Sequence, residues 1–360
     1  MYEQPDWPRF TWDFQEITPL LGEVRHRAGL LRGHMGASAV DLHGEAHIET
    51  ISHDVLATSA IEGYQLNPSE VKSSVRSAIL GEPGTSSRDV SGVVAMMVDA
   101  TSNYSRPLTS ERLFQWHTHL FDGTNDTIAV GQWRDDATGP MRVISGPVGK
   151  HRIHFVAPPA NTLVRETSRF LEWFNSGKTS DPVVDSGLAH LWFVTLHPFD
   201  DGNGRIARAI GDMGLARAET SPERYYSVSS QILHDKAQYY RMLESAQRGG
   251  LDVTEWLGWY LGCVGRSIDR AQETLNRTMV AKRIFDHLDH NTVSSRQHTI
   301  ISRMAHPDFV GHMNTSKYAK MARCSTDTAL RDIQQLVAKN VLIPNEAGGR
   351  STSYRLNVSL

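Results

Sequence analysis

Apolar side chains recur along most of the chain at the three- and four-residue spacing of helices, and strand-type alternation is confined to two short stretches. Asn67-Pro68-Ser69-Glu70 combines an N-cap, a proline at the first helical position and a glutamate three residues beyond the cap. A helix is therefore predicted over Asn67–Leu80, stopping at Gly81, with a loop to Ser87. Asp181-Pro182 opens a helix through GLAHLWFVTLHPF, and Asp252 with Glu255 opens a long one containing TEWLGWYLGCVGRSIDRAQETL. MRVIS and KHRIHFV flank a Gly-Pro turn and read as a hairpin, Met141 to Val156; VLIP and SYRLNV read as a second one at the end. Between Thr315 and Leu360 the order is a short helix, a turn near Arg323-Cys324-Ser325, a longer helix Thr326–Lys339 and that second hairpin. Leu330, Ile333, Leu336 and Val337 form the longer helix's apolar stripe. This is the order of a winged helix-turn-helix. The expected fold is mainly α. It has an N-terminal helical region (1–88), a helical core carrying one β-hairpin (89–265) and a C-terminal winged helix-turn-helix module (280–360).

With 39% hydrophobic and 21% charged residues the chain is not mainly disordered, and 360 residues allow two or three domains. A net charge of −3 favours neither nucleic acid nor a membrane surface as a general partner. The last 46 residues differ: seven basic side chains against three acidic ones give +4. That bias permits DNA binding through Arg331 on the second helix and Arg350 in the wing, whereas Asp327 and Asp332 on the same helix oppose close phosphate contact. A protein partner, including a second copy in a homodimer, is the other use of such a module. Two separated cysteines, Cys263 and Cys324, exclude a disulfide scaffold and a cysteine-based zinc site. No apolar run approaches the ~20 residues of a membrane span, and the N-terminus lacks a signal-type apolar region, so the expected location is cytoplasmic, with no membrane partner.

The densest chemistry is His197-Pro-Phe-Asp-Asp-Gly-Asn-Gly-Arg205, followed by Arg208. The apolar helix LAHLWFVTL runs into it and RIARAIGDMGLARA runs out. Two glycines beside a helix start let backbone N–H groups converge where the helix carries partial positive charge, which makes a nest for phosphate. Asp201 is a hard oxygen ligand placed to hold Mg²⁺ on phosphate oxygens. Arg205 and Arg208, three apart, share a helix face and can neutralise further phosphates. His197 can take a proton from an attacking hydroxyl near neutral pH.

This stretch resembles the signature of Fic-domain proteins, helical enzymes most of which transfer AMP from ATP to a hydroxyl side chain of a protein. The match is complete over nine positions and extends to Arg208. It covers residues 90–265, including Gly131-Gln-Trp-Arg134 and the hairpin, which resembles the family's flap that registers a target segment by strand addition. The resemblance implies that His197 is the general base and Asp201 the Mg²⁺ ligand. It also implies that Gly202, Asn203 and Gly204 hold the α- and β-phosphates with Arg205, and that Arg208 reaches the γ-phosphate. The kinase-type relative Doc has lysine where this chain has Gly204, so nucleotidyl transfer is expected here.

Upstream, Thr58-Ser-Ala-Ile-Glu62-Gly63 resembles the family's inhibitory motif, in which the glutamate pairs with the second arginine, here Arg208, and blocks placement of the γ-phosphate. A glutamate at a helix C-terminus also runs against the macrodipole, which hints at a role elsewhere. Tyr239 and Tyr240 resemble a segment bordering the adenine pocket, with aromatic packing under the site as the alternative. His117 and His119 in FQWHTHLF point apart on a helix and read as core or helix-face histidines, and Met96-Met97 as core. The expectation is an autoinhibited protein adenylyltransferase using ATP and Mg²⁺, acting on a Ser, Thr or Tyr hydroxyl of a target protein or of itself. The alternatives are a nucleotide-sensing DNA-binding regulator, or removal of AMP at the same site with Glu62 positioning a water.

Overall fold

The computed structural model describes residues 1–36, 40–121, 128–137, 139–146, 152–177, 181–288, 293–305, 309–345 and 352–358, with backbone alone at 40–42. The chain divides into two compact units after Asp269.

In the first unit, α1 (Phe14–Gly36), α2 (Val40–Ile61), α3 (Pro68–Leu80), α4 (Arg88–Ser102) and α5 (Ser110–Phe121) lead to a hairpin of β1 (Arg142–Ser145) and β2 (Arg152–Val156). Then come α6 (Leu163–Ser176), α7 (Pro182–Leu196), α8 (Asn203–Glu219), α9 (Val228–His234), α10 (Lys236–Arg248) and α11 (Thr254–His287), which runs on past the unit's end. Helices α7 and α8 are buried on nearly every side, α7 as its near-continuous apolar sequence requires and α8 despite its buried Arg205, Arg208 and Asp212, and the others pack around them. Met96 and Met97 on α4 lie in this core.

The expected helix signals are in place. Asn67 Oδ1 accepts from Ser69 N at 3.0 Å and Gly81 closes α3 in the left-handed conformation (φ 70°). Asp181 accepts from Val183 N at 2.8 Å at the start of α7. Glu70 does not complete the capping box: its carboxylate bonds Ser87 N and ties the 81–87 loop to the helix. Residues 1–13 are not helical as expected of the N-terminal region. Their aromatic rings make an extended path worthwhile, with Trp7 and Phe10 edge-on to Trp192 at 5.9 and 5.7 Å, and Trp7 Nε1 donating to Glu166 at 3.1 Å.

The second unit holds α12 (Ser295–Ala305), α13 (Thr315–Ala322), α14 (Thr326–Ala338) and the antiparallel pair β3 (Leu342–Pro344) and β4 (Tyr354–Leu356). Ile300, Ile301, Tyr318, Ile333, Leu336 and Leu342 centre its core. The stripe on α14 is shifted from the expected one. Ala329 is fully buried and Leu330 is 41% exposed, because the buried face runs 329–333–336 and residue 330 lies about 100° round the helix from 329. Asp332 does not face outward either. It is buried, accepting from Arg296 Nε at 2.6 Å and from Tyr318 Oη at 3.0 Å, so it cannot repel a ligand on the outer face of α14. Arg331 is exposed. Arg350 and the turns of both hairpins (147–151 and 346–351) lie outside the described residues. Among the described residues no helix is long and apolar enough to cross a membrane.

Candidate active site

The loop between α7 and α8 is built by its own sequence. The helix α7 ends as His197 turns left-handed (φ 49°), and Gly202 does the same (φ 79°) to start α8. Between them the Asn203 side chain closes a ring with the Phe199 backbone: it donates to Phe199 O at 2.8 Å and accepts from Phe199 N at 3.0 Å. Its amide is thus spent inside the loop, and what Asn203 can offer a ligand is its backbone N–H. No side chain caps α8, and its first intrahelical bond runs from Ile206 N to Gly202 O. The N–H groups of Asn203, Gly204 and Arg205 precede that bond and point out of the helix end.

Two supports hold the loop from outside. Arg134, buried, donates to His197 O at 2.7 Å and to Pro158 O at 2.6 Å, so it couples the loop to the segment following β2. His117, also buried, stacks on Phe199 at 4.2 Å, takes the Gly131 N–H on Nδ1 at 3.0 Å and contacts Asp201 O through Nε2 at 3.2 Å. Accepting at Nδ1 leaves Nε2 as the donor, a pattern only the neutral ring provides. Burial accordingly pulls its pKa down to about 4. The sequence leaves His117 to the core or a helix face, does not show this strut, and assigns Arg134 no task; His117 is in the core. Their partners are 84 and 63 residues away, beyond any local pattern.

His197 is half-buried, and burial pulls its pKa down to about 4 as well. Its Nδ1 lies 3.3 Å from Val194 O; donating there leaves Nε2 a free lone pair. Asp201, with its side chain 50% exposed, takes the Gly202 N–H on Oδ1 at 2.6 Å and lies 3.8 Å from Arg205 through Oδ2. One open carboxylate suits Mg²⁺ that is held jointly by a nucleotide's phosphates, and among the described residues no three ligating side chains cluster to cage a metal alone.

The two arginines differ. Arg205 is buried between the rings of Tyr64 and Phe121, at 5.2 and 4.9 Å, and its Nε and Nη2 have no hydrogen-bond partner. A buried guanidinium with orphaned donors at an open helix N-terminus fits an anion. Arg208 is clamped instead. It donates through Nε to Thr58 Oγ1 at 2.7 Å and through Nη2 to Thr58 O at 3.1 Å and Glu62 Oε1 at 2.7 Å. Gly63, with φ 93°, turns the chain away just after Glu62. The Glu62 carboxylate lies directly over Gly204: a Cβ there would stand 2.3 Å from Oε1. Burial raises the Glu62 carboxyl, but Arg208, Arg205 and Lys236 outweigh it and hold the group below the usual carboxylate range. The misfit with the helix dipole read from sequence is resolved by the N-terminus of another helix.

The tyrosine pair divides. Tyr239 is buried, its hydroxyl 2.9 Å from His190 Nε2, and packs beneath the site; Tyr240 is 43% exposed, with its hydroxyl 3.4 Å from Ile61 O. The hairpin is fastened along β2. Glu244 of α10 holds Arg152 and His154, each at 2.8 Å, and Arg248 donates to the carbonyls of His154 and Ile153 at 3.0 and 2.9 Å. Residues 107–215 match the Fic/DOC family, and residues 1–80 match a domain of unknown function, DUF4172. Residues 107–215 are a Fic domain.

The chain is 27% identical over 231 residues to the protein adenylyltransferase Fic of Drosophila grimshawi, a match covering 62% of this chain and 43% of that one. The Drosophila ananassae protein of the same name is also 27% identical, with 62% and 41% covered. The match thus spans about two fifths of the length of these curated relatives. Among solved structures, a Fic family protein from Desulfovibrio desulfuricans G20 has a TM-score of 0.56 at 20% identity, with 96% of this chain and 97% of that one covered. Fic-1 from C. elegans has a TM-score of 0.53 at 21% identity, with 72% and 76% covered. These likenesses show a Fic fold, mainly helical with a small hairpin.

Proposed function

We propose that this Fic protein is an autoinhibited protein adenylyltransferase that moves AMP from ATP to a Ser, Thr or Tyr hydroxyl of a protein target, itself included. The observation that carries the reading is the buried, cationic N-terminus of α8, with Arg205 Nε and Nη2 lacking hydrogen-bond partners and Arg208 covered by the Glu62 carboxylate. In the active state Gly202, Asn203 and Gly204, with Arg205, hold the α- and β-phosphates, the open N–H groups being those of Asn203, Gly204 and Arg205, and Arg208, released from Glu62, holds the γ-phosphate. Asp201 would hold Mg²⁺, which supplies charge neutralisation on the phosphate oxygens when bound. Neutral His197 accepts the proton of the target hydroxyl as its oxygen attacks the α-phosphorus and pyrophosphate leaves. The hairpin, tethered along β2, presents β1 as its open edge for the target segment, and Tyr240 borders the adenine. The regions 1–88, 89–265 and 280–360 divide the work into inhibition, chemistry and partner binding. The last region acts as a winged helix-turn-helix whose exposed α14 face, freed of Asp332, suits DNA or a protein partner.

Incubation with α-labelled ATP and Mg²⁺ tests the reading. Label on the protein or on a target, lost in His197→Ala, supports it; specific, salt-sensitive DNA binding with no label transfer by any variant overturns it. Removal of AMP at the same site predicts the opposite response to Glu62→Gly, a loss rather than a gain.

A further inference from the structure

Asp54 and Thr58 on α2, and Glu62 just past its end, stand four apart and meet α8 in reverse order. Glu62 lies over Gly204, Thr58 on Arg208, and Asp54 beside Asp212 with one guanidinium between them. That guanidinium is Arg224, from the segment after α8. Its Nη2 lies 2.9 Å from Asp54 Oδ2 and 2.5 Å from Asp212 Oδ1, its Nη1 donates to Asp212 O at 3.3 Å, and its Nε donates to Tyr226 O at 3.1 Å. Asp54 Oδ1 also takes the Ser227 hydroxyl at 2.5 Å. All three charged residues are at most 3% exposed, and Asp212 Oδ2 has no hydrogen-bond partner. Two buried carboxylates on one guanidinium leave an excess negative charge in the seam that seats the inhibitory helix, where a merely stabilising pair needs only one of them.

We propose that Asp54, Arg224 and Asp212 form a positioning unit that sets how firmly α2, and with it Glu62, is seated, so that its charge balance tunes the inhibition. This rests on the autoinhibited reading above. Asp54 comes with α2 and Asp212 belongs to α8, so seating the helix brings two like charges together. Burial, with Asp54 adding to it against Arg224, pushes the Asp212 carboxyl up to about 7. Other charged and titratable groups surround the unit. Arg208 stands one turn earlier on α8, burial pushes Tyr260 of α11 up, and burial keeps His190 of α7 neutral with a pKa near 3. Tyr226 and Glu219 flank Arg224, and His47 on α2, lowered by burial, lies beyond it. By linkage, a state that raises the proton affinity of Asp212 is itself favoured by that proton. Seating of α2 therefore weakens as pH rises through neutrality, by no more than about tenfold per pH unit for one proton.

The test uses the full chain. Self-labelling from α-labelled ATP is measured between pH 6 and 8.5 for the wild type, Asp54→Asn and Asp212→Asn, each with and without Glu62→Gly. The inhibition ratio within each pair cancels the pH dependence of the chemistry. Expected are a wild-type ratio that falls several-fold from pH 6 to 8, a pH-independent and larger ratio for Asp212→Asn, and a several-fold smaller ratio for Asp54→Asn. Both asparagine variants moving the ratio the same way, or a pH dependence surviving Asp212→Asn, overturns the proposal. Hydrogen exchange over α2, corrected for intrinsic rates and referenced to α7, reads seating without activity or substitution. It should show several-fold greater protection at pH 6 than at pH 8, and equal protection overturns the proposal. Failure of Glu62→Gly to activate would instead sink the autoinhibited reading, with the exchange result still deciding the seating.

Discussion

The α8 end of the site and the hairpin are made in opposite ways. At α8 the working groups are buried and fixed: Arg205, Arg208 and Asn203 are at most 6% exposed and Arg134 locks the loop from behind. On the hairpin, Ile144 and Ile153 are 48% and 42% exposed, and the strands are held from one side by two α10 residues. Low-dielectric surroundings strengthen each phosphate contact and fix its geometry, which is what in-line displacement needs. An exposed strand edge offers main-chain hydrogen bonds to whatever segment fits, which is what accepting a polypeptide needs. On the proposed function, the contrast separates chemistry from target choice.

Substitutions at the two places should therefore fail differently. The largest effect expected is at His197: His197→Ala should lower label transfer from α-labelled ATP by about 100- to 10,000-fold, the range for a lost general base. ATP binding by calorimetry should change little, and a large loss of binding would merge the base with the phosphate nest. Next comes Glu62→Gly, which should raise transfer on the order of 100-fold, since small misplacements of the γ-phosphate carry costs of that size. Glu62→Gln separates charge from helix loosening, and Arg208→Ala should lose activity even beside Glu62→Gly. On the hairpin, Arg248→Ala should raise KM for a protein target roughly threefold to tenfold, leaving kcat and ATP affinity near wild type, because only an edge carbonyl cap is lost. Equal damage to ATP binding from Arg248→Ala and from a loop variant would break the comparison.

The smallest effect sharpens it through pH. His117 and His190, buried, and His197, half-buried, are held as neutral rings, with pKa values near 4, 3 and 4, against about 6.5 in the unfolded chain. Between about pH 4 and 6.5 the unfolded chain binds more protons at these three sites, so their stabilisation is full above 6.5 and is lost as pH falls. Asp212 works the other way in that window, its pKa of about 7 favouring the protonated folded form at low pH. Three groups outweigh one. The melting temperature should drop by several degrees from pH 6.5 to 5, and His117→Phe, which keeps the stack on Phe199, should flatten the slope. A melting temperature that rises on acidification would contradict the neutral rings.

Much of the fold was written locally. Caps at Asn67 and Asp181, glycine at 81, and the two β-rich runs specify elements through contacts within a few residues, and their boundaries appear where those residues stand. The phosphate loop was legible for the same reason, since its ring from Asn203 to Phe199 and its turn at Gly202 are closed within five residues. What failed locally was the stripe on α14, where apolar Leu330 is exposed and acidic Asp332 is buried because Arg296 and Tyr318 compensate its charge. The sequence by itself determined most of the helices, the hairpin strands and the turn of the loop between α7 and α8. Only the tertiary structure decided that Glu62 sits on Arg208, that His117 and Arg134 hold the loop, and that Asp54 and Asp212 share Arg224. Each of these joins charged or polar groups 63 to 170 residues apart, and burial alone makes such pairs strong, because water would otherwise screen them.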